Sequence, residues 1–586
     1  MSIEVPALGA TVVVGGVHFA VWAPKARLVE VVIEKRERST VHPLVGGDDG
    51  VHAGFVRGLR AGGRYRYRLD EGESFPDPYA RFQPEGPHGP SEVVDPTRFA
   101  WTDHDWPGIT MDGLVIYECH VGTATAEGTF ESLARELPEL RRLGVNPIEL
   151  MPIAEFPGRC NWGYDGVNLF APTCNYGSPD DLRRFVDAAH REGLGVILDV
   201  VYNHLGPDGN YLRAFSDDYF TDRHQTPWGD AVNYDGPNRE WVRRFVIDNV
   251  RQWIAEYHID GVRIDAPHAI VDDSPTHVLA EVADAVRGAT TRNVVLIAES
   301  DTRAIAPRST GGYGLDAIWA DDFHHELRVL LTNAHEGYYA DYAGNMDQVA
   351  RAIEHGFPDQ SQSGPPSRFV FCIQNHDQVG NRPFGERVHH EINHERYAVA
   401  STLLLFAPQP VLLFMGQEFA ASTPFLFFTD HTPEMGRLIT EGRRQEFSGF
   451  RAFADAEMRD AIPDPRAESS FLASKLDLHE RRKNRSVYDL YQALLVLRRD
   501  DSVLAVGGRA TTRSAALGVQ AIAVHRWHDD EHRLLIATLG SAMSLSLSHV
   551  AGLTDAPANG WRVLFSTTPR RFGGSGERVR PRGRRN

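Results

Sequence analysis

Hydrophobic and polar positions change their rhythm twice along the chain. In residues 1–100 the β-rich runs Thr11–Val14, Val17–Trp22 and Val29–Ile33 are short and separated by Gly and Pro, and Tyr65-Arg66-Tyr67-Arg68 alternates. Period-two alternation buries one face of a strand and exposes the other. This stretch is therefore expected to form a small immunoglobulin-like β-sandwich, serving either to pack against the rest of the chain or to bind a ligand. From about residue 112, continuous apolar runs alternate with helical segments. They are Leu114–Val121, Val145–Met151, Gly195–Val201, Ile259–Asp265, Val294–Glu299, Ala317–Ala320, Phe369–Gln374 and Val411–Gly416. Strands covered on both faces read as unbroken apolar runs. Eight of them with helices between predict an α/β fold, a (β/α)8 TIM barrel over 101–500. The clearest helix is Pro179–Glu192, with Ser178 as N-cap, Pro179 in the first turn and Gly193 as the stop. The stretch 202–240 is too long and too rich in Gly, Pro and Asp for a simple turn, and predicts a functional loop or inserted subdomain. Short β runs return at Val519–Val524, Arg533–Leu539, Met543–Leu547 and Trp561–Phe565, predicting a C-terminal β-sandwich over 501–569. The Gly/Arg-rich segment 570–586 reads as a solvated, disordered basic tail.

Composition narrows the function. With 61 Lys and Arg against 79 Asp and Glu, the net charge is -18. That repels nucleic acid and suits a neutral or small partner. Four cysteines without a CxxC pair make no disulfide framework in a chain of 586 residues, so a reducing, cytoplasmic location is expected. The first residues lack a basic segment followed by an apolar one. The apolar stretch 400–416 is broken by Pro408 and Pro410, so no membrane span is expected. A homodimer is compatible with the sequence, which says nothing further about assembly.

Candidate chemistry comes from the strand ends, because a barrel of this type delivers its functional groups from the carboxyl ends of its strands. The third run ends in Asp199 and continues to Asn203-His204, the fourth carries Arg263 and ends in Asp265, the fifth ends in Glu299, and the seventh leads to Asn375-His376-Asp377. Taken singly, each acid could be a cap or a loop partner. Four strands bringing them to one rim is a costly arrangement that a fold tolerates where chemistry needs it. Glycoside hydrolysis needs one carboxylate to attack the anomeric carbon and one carboxylic acid to protonate the leaving oxygen. Arg263 lies two residues before Asp265 and so shares its strand face, where it can orient that carboxylate and keep it ionised. His204 and His376 suit hydrogen bonding to sugar hydroxyls, or are structural loop histidines.

The segments DVVYNH (199–204), DGVRIDAPH (260–268), LIAES (296–300) and IQNHDQ (373–378) resemble the four sequence regions of the α-amylase superfamily in order and spacing. The resemblance implies Asp265 as nucleophile, Glu299 as acid/base and Asp377 as transition-state stabiliser. It also implies Asp199, His204, Arg263 and His376 around the attacked glucose. Trp162-Gly163-Tyr164-Asp165 is similar to the segment in which a tyrosine stacks on that glucose, which brings in Tyr164 and Asp165. Within the superfamily the chain is most similar to the maltooligosyltrehalose trehalohydrolase subgroup. Segments 75–96, 161–167, 321–329, 337–342, 374–387 and 416–431 carry this likeness. It implies hydrolysis of the α-1,4 bond next to the terminal trehalose of maltooligosyltrehalose and related α-glucans. A glycogen branching enzyme, a transferase with the same three carboxylates, is the alternative. Many α-amylases have Lys-His where this chain has His268-Ala269, so the leaving-side subsites are expected to differ. His268 and the segment Asp322-Phe323-His324-His325-Glu326 supply the candidates there: His268, Asp322, His324, His325 and Glu326. Neither a cofactor nor a metal is called for. Asn203 matches a calcium ligand of many α-amylases, but no Asp-rich loop accompanies it.

Overall fold

The computed structural model describes residues 7–577 except 36–37, 228, 359–363, 451–455 and 541–559. Its centre is a closed barrel of eight parallel strands: β1 (Val115–Cys119), β2 (Pro147–Leu150), β3 (Gly195–Val200), β4 (Gly261–Ile264), β5 (Val295–Ala298), β6 (Ala317–Trp319), β7 (Phe369–Cys372) and β8 (Val411–Phe414). Each strand pairs with the next in the chain, and β8 closes on β1 with Val115 opposite Val411. All eight expected runs are strands, and every residue in them is buried. Several end one or two residues earlier than the apolar runs suggest, because their last residues, Asp265 and Glu299 among them, leave the strand for the rim. Helix Pro179–Arg191 begins as expected. Ser178 accepts from the Asp181 N–H while Asp181 accepts from the Ser178 N–H, satisfying two donors that a helix start leaves over.

The N-terminal residues form two facing antiparallel sheets. One contains Gly9–Val13, Gly16–Trp22, Val51–Arg57 and Val45–Gly46. The other contains Thr40–Pro43, Val29–Glu34, Arg64–Leu69, Ser74–Phe75 and Ser91–Glu92. The alternation at 65–68 puts Tyr65 and Tyr67 inside against Phe19. This sandwich is docked on the barrel by Tyr79 against Phe170 and Phe245, by a two-pronged Arg81–Glu256 pair and by Trp22 stacked on Trp241. The segment 202–240 folds on itself as a short helix (Leu212–Phe215) and a hairpin of Phe220–Thr226 with Gly229–Val232. Phe215 lies against Tyr67 and Phe75 of the sandwich.

Beyond the helix Arg485–Asp500, the strands Thr511–Ala516, Ala521–His528 and Glu531–Thr538 make an antiparallel sheet. The expected run Met543–Leu547 lies outside the described residues. Trp561–Phe565, expected as a strand, joins no ladder among the described residues. The expectation of a solvated end starting at 570 also fails at its start. Arg570–Phe572 is a 3-10 turn whose Phe572 is buried and whose carbonyl meets His394, because an aromatic ring within reach of the core gains more from burial than the segment's polar composition loses. The four cysteines are unpaired. No described helix is long and apolar enough to cross a membrane.

Candidate active site

At the carboxyl ends of β3, β4 and β5 one guanidinium collects three carboxylates. Asp199 and Arg263 face each other across β3 and β4. Arg263 Nη1 donates to both oxygens of Asp199 at 2.9 and 2.8 Å and to Asp265 Oδ1 at 2.9 Å. Its Nη2 donates to Glu299 Oε2 at 3.0 Å. Arg263 is fully buried, and its guanidinium lies 4.2 Å from the centre of the Trp319 ring at the end of β6. A buried cation is held where its charge is paired; here three carboxylates pair the two Nη atoms, and only Nε is left without a partner among the described residues. Asn203 donates to Asp265 Oδ2 at 3.2 Å, so the amide that matches a calcium ligand elsewhere is turned onto the nucleophile candidate. Ala266 adopts a left-handed backbone, φ 36°. This conformation is costly for a residue with a Cβ, and here it turns the Ala266 N–H onto Glu299 Oε2 at 2.8 Å.

The β7 side completes the rim. Asn375 caps the short helix His376–Gly380 by accepting from the Gln378 N–H at 2.7 Å, which presents His376 and Asp377. Tyr164 Oη donates to Asp199 Oδ2 at 2.6 Å and lies 2.7 Å from His376 Nε2, with the two rings stacked at 5.2 Å. Asp377 Oδ1 lies 3.4 Å from the same nitrogen and accepts from Asn381 at 3.0 Å. His204 holds the Tyr164 loop through the carbonyl of residue 164 at 3.0 Å.

Burial raises the Asp265 carboxyl above its usual range, with the Asp377 charge adding to it and Arg263 opposing. Glu299 is raised by burial and by Asp265 and Asp377, again against Arg263. Burial lifts Asp199 to about 7 against the pull of Arg263. Burial pulls His376 down, but Asp377 and Glu118 outweigh it and lift the imidazole to about 9.

Of the candidates named from sequence, Asp199, Arg263, Asp265, Glu299, His376, Asp377, Tyr164 and His204 converge on this rim. Asp165 turns away to His431, Asn161 and Thr429 and ties two rim loops together. His268 is exposed on the turn Pro267–Ala269. In the helix Asp321–Thr332, Asp322 accepts from Tyr342 Oη at 2.8 Å, and His325 lies among Tyr338, Tyr339 and Tyr342. His324 is buried against His325 and Tyr339, and Glu326 is spent on the Gly344 N–H. Residues not foreseen are Asp321, which accepts from Ser300 beside Glu299, and Glu118 and Glu149, buried on β1 and β2. The signal for the last two was a lone carboxylate in an otherwise apolar strand run. Among the described residues one His/Asp group brings three ligand-type atoms together: His224, Asp235 and Asp273. Asp235 is already paired with Arg223 and His224 at 3.0 and 2.9 Å.

A (β/α)8 barrel with an Asp, a Glu and a second Asp on one rim, two of them bound to one arginine, defines a glycosidase of the α-amylase class. Residues 93–238 match the family model for the alpha amylase catalytic domain, and residues 7–80 match carbohydrate-binding module 48, the isoamylase N-terminal domain. The chain is 46% identical to a malto-oligosyltrehalose trehalohydrolase of Deinococcus radiodurans, over 85% of this chain and 84% of that protein. It is 39% identical to one of Saccharolobus solfataricus, over 83% and 85%. A solved structure of an alpha amylase candidate from Salmonella typhimurium superposes with a TM-score of 0.82 at 36% identity, covering 91% of this chain and 93% of that one. The chain belongs to the malto-oligosyltrehalose trehalohydrolase family.

Proposed function

We propose that this enzyme is a retaining hydrolase that cuts the α-1,4 bond joining a glucan to the terminal trehalose of maltooligosyltrehalose, releasing trehalose. The observation that supports the mechanism is the Arg263 fork, which holds Asp265 and Glu299 on one guanidinium. The Asp265 carboxylate attacks C1 of the glucose preceding the trehalose unit as the bond from C1 to the trehalose O4 breaks, and Glu299 delivers its proton to that oxygen. Glu299, now a carboxylate, takes a proton from water. The water oxygen attacks C1 and releases Asp265, so the α configuration is retained after two inversions. Asp377 stabilises the positive charge that builds on the ring between these steps, and Tyr164 presents its ring face to the attacked glucose. Burial holds Glu299 above the ordinary carboxyl range, which suits a residue that must begin as an acid and continue as a base. Asp322 and His325 of the helix Asp321–Thr332, with the exposed Tyr338, are the candidates for the leaving-side contacts. A location in the cytoplasm accords with the net charge of -18 and the four unpaired cysteines. The test is product analysis at equal concentrations of maltotriosyltrehalose, maltopentaose and amylose. Free trehalose from the first substrate should dominate. Equal cleavage of maltopentaose, or new α-1,6 branches in amylose, would replace this reading with an amylase or a branching enzyme.

A further inference from the structure

The hydrogen bonds around His376 have a direction that can be worked out donor by donor. Tyr164 has one hydroxyl proton. Both oxygens of Asp199 accept from Arg263, which can only donate. With Asp199 ionised, the Tyr164 proton must point to Asp199 Oδ2, 2.6 Å away. The Tyr164 oxygen then has only lone pairs to offer His376 Nε2 at 2.7 Å, so Nε2 carries a hydrogen. On the opposite side of the ring, Nδ1 lies 2.5 Å from Glu118 Oε1, while Glu118 Oε2 accepts the His376 backbone N–H at 2.9 Å. Glu118 comes from β1, 258 positions away, and both its side chain and that of His376 are 1% exposed, so water does not compete for either group. A carboxylate there only accepts, and Nδ1 carries a hydrogen as well.

We propose that Glu118 is a positioning residue that holds His376 as a doubly protonated imidazolium, the head of an unbroken line of donors and acceptors running Glu118–His376–Tyr164–Asp199–Arg263 to Asp265 and Glu299. The proposal rests on the reading of Asp265 and Glu299 as the catalytic pair only for its kinetic consequence; the protonation of the ring stands apart from it. The line gives the rim a second fixed cation beside Arg263. It faces Asp377, whose Oδ1 lies 3.4 Å from Nε2, and so holds that carboxyl group aimed. Gripping both the backbone and the ring of His376, Glu118 also sets the direction of the helix that carries Asp377.

The charged groups facing His376 balance in its favour. Asp377 and Glu118 raise its affinity for the proton, whereas burial and Arg263 lower it; His120 from the end of β1 is itself pushed down to about 4, chiefly by burial and in part by the His376 charge, and so faces it as a neutral ring. Glu149 from β2 and Asp265 from β4 also feel its charge, as does Asp199 from β3. Trp162 and Trp319 meet it as neutral rings. The cation is therefore present at neutral pH and lost as pH rises through about 9.

Neutron diffraction from perdeuterated crystals of the full chain at about pH 8 reads the ring directly, in the window where Asp199 is ionised and His376 is not yet titrated. Deuterons on both Nδ1 and Nε2 are expected. A deuteron on only one of them, or one on Glu118 with a neutral ring, overturns the proposal. Glu118→Gln gives the functional readout. Its amide oxygen can keep the backbone N–H of His376, which turns its NH2 to Nδ1 and forces a neutral ring. The alkaline limb of kcat/KM should then move to lower pH by at least about one unit, toward the ordinary histidine range, with kcat/KM at pH 8 down about tenfold. Glu118→Asp should restore the position of the limb. A loss by the same factor at every pH, with the limb unmoved, is what mere structural support would produce and refutes the positioning role. If Glu118→Gln does not fold, the neutron result on the unaltered protein decides. If Asp265→Asn retains activity, the catalytic reading falls while the protonation of His376 remains measurable.

Discussion

Replacing Asp321 by Asn should stabilise the protein more at pH 8 than at pH 5. Asp321 sits in the first turn of helix Asp321–Thr332, next to Glu299, and its one described partner is the Ser300 hydroxyl at 3.0 Å. Burial, and then the Glu299 charge, lift its carboxyl from 3.8 to about 7. A folded-state value above the unfolded one means that stability is lost as pH rises from about 4 to about 7 and stays lost above that. About two of the three units fall between pH 5 and pH 7. At about 1.36 kcal/mol per unit this is about 2.7 kcal/mol, and the helix N-terminus together with partial exposure reduces it to about 1–2 kcal/mol. Asn keeps an oxygen for Ser300, so any pH-independent effect of the change cancels when its unfolding free energies at the two pH values are compared. The assay is urea unfolding of both proteins at pH 5 and pH 8, followed by tryptophan fluorescence. The advantage of the variant should grow by about 1–2 kcal/mol between them. An advantage that is equal at both, or larger at pH 5, refutes the account of Asp321 as a carboxylate held at a cost beside Glu299.

Asp265→Asn should fold normally by circular dichroism and lose turnover by more than the ~10²–10⁴-fold that loss of acid/base help alone costs, because no covalent route remains; a folded, active variant would remove the nucleophile assignment. Exhaustive chelation should leave the rate unchanged, since Asn203 faces Asp265 and Asp235 is already paired with Arg223 and His224; a loss restored by Ca²⁺ alone would contradict this. Ser178→Ala removes the oxygen that caps helix Pro179–Arg191 and should cost about 1 kcal/mol of stability with kcat unaltered, measured by urea unfolding and steady-state rates.

What the sequence determined by itself was whatever depends on local order. A strand covered on both faces must be apolar throughout, so the eight barrel strands stood out as runs. Side chains two apart on a strand share a face, so Arg263 and Asp265 had to meet. A Ser-Pro-Asp-Asp start dictated where its helix began. Groups at the carboxyl ends of strands were bound to reach one rim, which made Asp199, Asp265, Glu299 and Asp377 readable as a set. The tertiary structure alone decided which neighbour of each group lies across the barrel. Glu118 was not singled out in β1 because its partner, His376, is 258 positions away. Asp321, which the sequence did not single out, is the acid beside Glu299, while the adjacent Asp322 accepts from Tyr342. One residue turns a helix by about 100°, so the choice between adjacent acids depends on where the helix starts and how it packs. For the same reason His325 joins three tyrosines while His324 meets one and Glu326 turns to the Gly344 N–H. Periodicity says which residues share a face, but only the packing of one element on another says what that face meets.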